Sequence, residues 1–72
     1  MERIIKIGND TALLKYEDKY YLQYDAGMFA VVLKNLLITE DEAKAILKNP
    51  DITDSIILNY QEQGEYGEEV KQ

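Results

Sequence analysis

Three observations predict an α+β fold. Residues 20–25 alternate with a period of two, Gly- and Asp-containing turns cut the first half into short runs, and the period becomes helical at Thr39. The expected architecture is a small antiparallel meander of three to four strands, followed by one or two C-terminal helices packed on one face.

The first strand is read at Ile4, Ile5 and Ile7, a β-branched run stopped by the turn cluster Gly8-Asn9-Asp10. Thr11–Glu17 gives the second, with Ala12, Leu14 and Tyr16 on one face and Leu13 and Lys15 on the other. Asp18-Lys19 is the expected hairpin connection. In the third strand Tyr20, Leu22 and Tyr24 alternate with Tyr21, Gln23 and Asp25. After a turn at Asp25-Ala26-Gly27, Met28–Lys34 is the fourth candidate, with Phe29, Val31 and Leu33 on one face.

Thr39-Glu40-Asp41-Glu42 has the pattern of a capping box. The threonine hydroxyl can accept from the backbone N–H of Glu42, and that side chain can reach back. Ala43, Ile46 and Leu47 make the apolar stripe, Glu40 and Lys44 an i,i+4 pair, and Asn49-Pro50 the stop. Residues 51–63 read better as helix than as strand, with Asp51 as N-cap and Gly64 at C′. Residues 1–64 then form one domain, and 65–72 a flexible acidic tail.

Seventy-two residues without cysteine must fold on a small core. A homodimer would relieve that shortage and is a live expectation. The lack of cysteine, and of any apolar stretch suited to export, points to a reducing, cytoplasmic setting. Seven lysines against one arginine, with abundant Ile, Asn, Tyr and Glu, is the vocabulary of AT-rich genomes such as those of low-GC Gram-positive bacteria and their phages.

Charge is unevenly spread. Residues 1–35 hold five basic and five acidic groups, whereas residues 36–72 hold three against nine, so the whole net charge of −6 lies in the second half. Such a field repels phosphates and anionic membranes and attracts basic protein surfaces. Neither direct nucleic-acid binding nor membrane association is expected.

The residue inventory narrows the chemistry. Without His or Cys, the Ser-His and Cys-His nucleophile arrangements are absent, as are zinc sites built on those ligands. Asp51, Thr53, Ser55, Asn59 and Glu62 follow EF-hand ligand spacing, but Ile56 occupies the position that needs glycine. No catalytic residue, metal or cofactor is expected.

The cluster Tyr16, Tyr20, Tyr21 and Tyr24 divides by period. Tyr20 and Tyr24 should face the helices, with Tyr16 nearby, and Tyr21 should point outward beside Gln23, Leu13 and Lys15. The candidate partner-binding residues are Tyr21, Gln23, Glu40, Asp41, Glu42 and Tyr66.

The leading expectation is a non-enzymatic acidic protein-binding module. Its sharper form is an inhibitor that occupies the basic surface of a nucleic-acid-handling protein, as phage anti-defence proteins of the anti-CRISPR type do. The alternatives are a homo-oligomer that sequesters a small molecule or nucleotide, and an assembly protein that works through sheet-edge pairing.

Overall fold

The computed structural model describes residues 1–70. Its order is β1 (Glu2–Ile7), β2 (Thr11–Tyr16), β3 (Lys19–Asp25), β4 (Leu33–Ile38), α1 (Glu40–Lys48), a 3-10 turn (Pro50–Ile52), α2 (Thr53–Glu62) and β5 (Glu68–Glu69). The strands form one antiparallel sheet in the order β1-β2-β3-β4-β5. The α+β class and the meander of four consecutive strands match the sequence reading. The strand count is five rather than three to four, because the chain returns to the sheet after the helices.

Register assigns the faces, since residues directly opposed in an antiparallel pair lie on the same side. Leu13, Leu22 and Leu36 align across β2, β3 and β4. They join Tyr24, Ile38, Ala43, Ile46 and Ile57 in the core, so both helices cover this face. Leu13, Leu22 and Ile46 are completely enclosed. In β1 the pairing slips between Arg3 and Ile5. Such a bulge opposes two residues to one, so the adjacent Ile4 and Ile5 both pack against the core.

The helical half follows its caps. Thr39 Oγ1 accepts from the Glu42 amide at 3.1 Å, and Glu42 Oε1 accepts from the Thr39 amide at 2.9 Å, completing the capping box. Pre-proline Asn49 is extended at φ −146° and ends α1. Asp51 is not the N-cap of the second helix. Asn49 Oδ1 accepts from the Asp51 amide, with Pro50 in the first position of the 3-10 turn that leads into α2. At the other end Gly64, at φ +84°, donates to Gln61 O while Glu65 donates to Tyr60 O. This is the Schellman pattern that a C′ glycine allows.

Two further readings are corrected. The β2–β3 turn is Glu17-Asp18, not Asp18-Lys19, with Glu17 at a positive φ of 57°. The fourth strand is not Met28–Lys34 but Leu33–Ile38, and residues 26–32 form a loop. The apolar run from Met28 to Ile38 is nearly continuous, so periodicity alone leaves its register open. What fixes it is Tyr20 opposite Ile38 and Asp25 opposite Leu33, which buries Leu36 and Ile38.

The segment after Gly64, expected as a loose acidic tail, folds back along β4 as far as it is described. Glu68 and Glu69 pair with Asn35 and Lys34, and the Val70 amide donates to Leu33 O at 2.8 Å. Gly67, at φ +87°, permits this approach: a Cβ there would stand 2.7 Å from Asn35 O. The last two residues of the expected tail, 71 and 72, lie outside the described residues.

Candidate functional site

The sheet face turned away from the helices carries Ala12, Leu14 and Tyr16 on β2, Tyr21 and Gln23 on β3, and Asn35 and Leu37 on β4. Tyr21 stands between Leu14 and Leu37 rather than beside Leu13 and Lys15. Those two lie on the helix-covered face, where the Lys15 ammonium sits 5.4 Å from the centre of the Tyr20 ring. Tyr16 shares the open face, opposite Lys19, and is half exposed. Gln23 donates to Asn35 Oδ1 at 3.1 Å, so it links two strands across this face.

Leu14 is 7% exposed although no helix covers it, whereas Leu37 is 50% exposed. On the edge strand, Arg3 and Lys6 stand opposite Leu14 and Ala12. Long basic side chains there can cover apolar neighbours with their stems. The acid aligned with this face on β5 is Glu68, opposite Asn35.

The acidic candidates lie in the other layer. Glu40, Asp41 and Glu42 form the first turn of α1, where carboxylates suit the helix dipole. Glu40 pairs with Lys44 at 3.4 Å, both well exposed, a contact of small energetic value. Glu42 is committed to the fold, because it closes the capping box and accepts from the Tyr60 hydroxyl at 2.5 Å. Partial burial and the nearby Glu42 and Glu65 carboxylates push the Tyr60 hydroxyl up to about 12.

Tyr66 is half exposed, with the Lys34 ammonium 5.7 Å from its ring centre. Its carbonyl accepts from the Tyr24 hydroxyl at 2.6 Å, and that hydroxyl accepts from Gln61 Nε2 at 3.2 Å. Buried Tyr24 thereby ties α2 and the returning segment to the sheet. Thus Tyr21 and Gln23 share one face, Glu40, Asp41 and Glu42 share a helix start, and Tyr66, with Glu65, Glu68 and Glu69, borders the pocket that Tyr21, Asn35 and Leu37 line.

The strongest surface feature was missed by the sequence reading. In the 26–32 loop Phe29 is 100% exposed, Met28 90% and Val31 68%. The base of the loop is tightly held. Asp25 Oδ1 accepts from the amides of Gly27 at 2.9 Å and Val32 at 3.0 Å, and the Ala26 amide donates to Val32 O at 2.8 Å. These bonds hold the Asp25 carboxyl below its usual value. Gly27 is required, since a Cβ would collide with Ala30 O at 1.7 Å. Asp25 two residues before a glycine is the signal that points to such a side-chain-capped turn.

Beside the loop base lies a groove bordered by Asp10, Asp25, Asp54 and Glu69, with Lys34 as its cation. Among the described residues, no three acidic groups converge as a metal site would require. The residues spaced like an EF-hand run from Asp51 through the 3-10 turn and α2, a helical course unlike a calcium-binding loop. No helix among them is long and apolar enough to cross a membrane. Comparison with protein-family models, with curated proteins and with solved structures finds no match.

Proposed function

We propose that this chain is a non-enzymatic protein-binding module whose acidic helical layer engages a basic surface, acting as an inhibitor of a nucleic-acid-handling protein. The observation that carries the reading is the charge of residues 40–62. This stretch holds Glu40, Asp41, Glu42, Asp51, Asp54 and Glu62 against Lys44 and Lys48. Asp41, Asp51 and Asp54 are exposed and make no ion pair among the described residues. A field of this sign speeds encounter with a cationic patch and selects against anionic partners.

Binding partners captured from the source organism's lysate provide the material for the test. Association rates are then compared for the natural chain and for Asp41→Lys combined with Asp51→Lys, which leave the Glu42 cap intact. The reversed chain should associate about tenfold more slowly or worse, and rising salt should erase the difference. Equal rates at low salt would sink the proposal.

A further inference from the structure

From Ala26 to Leu33 the chain carries no charge, and the tip of this loop leaves Met28, Phe29 and Val31 bare. Its base is held by the Asp25 carboxylate and by the Ala26–Val32 hydrogen bond. A loop with a fixed base needs little ordering to dock, which lowers the entropic cost of association. Ala26, Gly27 and Val32, at that base, also line the groove whose other wall is α2.

Apolar and acidic groups stand side by side in this groove. On α2, Asp54 and Leu58 are one turn apart on the same face, and Leu58 is 55% exposed. Asp10 and Glu69 border the groove too, and like Asp54 they are exposed and make no ion pair among the described residues. Lys34 stands opposite Glu69, with its ammonium over the Tyr66 ring, so Asp10 and Asp54 are the uncompensated charges. We propose that the Met28–Val31 loop and this groove form one docking site for a basic amphipathic segment of a partner protein. Phe29 and Leu58 take the apolar side of that segment, and Asp10 and Asp54 take its cations.

The mixture of groups selects this occupant. A wholly apolar partner would strip water from Asp10 and Asp54 and offer nothing in return. A wholly cationic one would leave Phe29 in water. An anionic membrane is repelled by the acids, and a second copy brings the same net charge of −6. The inference rests on the reading of this chain as a binder of basic protein surfaces, and adds the apolar half of the contact. Asp54 belongs to the acidic helical layer as well, so the two surfaces are continuous.

The probe is a synthetic leucine-lysine helical peptide with one apolar and one cationic side, titrated calorimetrically into the purified full chain at about 0.15 M salt, where distant charges are screened. Phe29→Ser should raise the dissociation constant about tenfold or more, with an unchanged circular dichroism spectrum because Phe29 is fully exposed. Leu58→Ser should raise it about threefold or more, and Asp10→Lys with Asp54→Lys about tenfold. Asp41→Lys, outside the groove, should change it less than about threefold. No binding of the peptide, or affinity indifferent to Phe29→Ser or to Leu58→Ser, overturns the site. That result leaves the functional reading standing if Asp41→Lys with Asp51→Lys still slows a natural partner. Self-association, or binding to phosphatidylcholine vesicles, that depends on Phe29 while the peptide does not bind also overturns the site, because the loop would then serve a second copy or a lipid surface.

Discussion

The two faces of this sheet are built from neighbouring residues, yet they have different fates. Leu13 and Leu14 are adjacent, and both are buried, one beneath two helices and the other among its flanking strands. Leu36 and Leu37 are also adjacent, at 2% and 50% exposure. A one-residue step changes faces, so an unbroken leucine pair supplies both a core and a surface. A small domain thus fills its core on one side and keeps apolar area on the other.

Charge should break this comparison most sharply. Leu13→Asp places a carboxylate in a fully enclosed position, at a cost on the order of 5 kcal/mol, comparable with the whole stability of a small domain. Its circular dichroism spectrum should be that of an unfolded chain. Tyr21→Asp, on the open face, should keep the native spectrum and change stability by about 1 kcal/mol at most.

A smaller effect sharpens the account of the covered side, where Tyr60 links α2 to the α1 cap through Glu42. The folded Tyr60 hydroxyl lies near 12 against an ordinary value of 10.0, so the folded state favours the protonated form. That contribution is complete below pH about 10 and is lost as pH rises toward 12. Denaturant titrations across this window should show the loss. Tyr60→Phe should cost about 1 kcal/mol at neutral pH and flatten that part of the alkaline dependence.

What the sequence disclosed depends on how local the determining physics is. The capping box at Thr39 and Glu42, the stop at Asn49-Pro50 and the glycine at C′ are set within a few residues, and all three stand in the structure. The alternation of Tyr20, Leu22 and Tyr24 also holds, because it belongs to one strand. Cross-strand facts were less legible. The neighbours of Tyr21 depend on the register of β2 and β4, and the β4 register depends on a loop closed by Asp25 with Val32, seven residues away. Likewise, nothing local to Glu68 and Glu69 announces a strand. They pair because Tyr66 O takes the Tyr24 hydroxyl and Gly67 fits against Asn35.

The most direct measurement of the difference between the faces is thermal unfolding of Leu22→Ala and Leu37→Ala beside the natural chain. Leu22→Ala should lose about 3 kcal/mol, because it empties a fully buried site. Leu37→Ala should lose less than about 1 kcal/mol, because that side chain is already half exposed. Equal losses for the two variants would contradict a sheet with one face in its own core and the other left open.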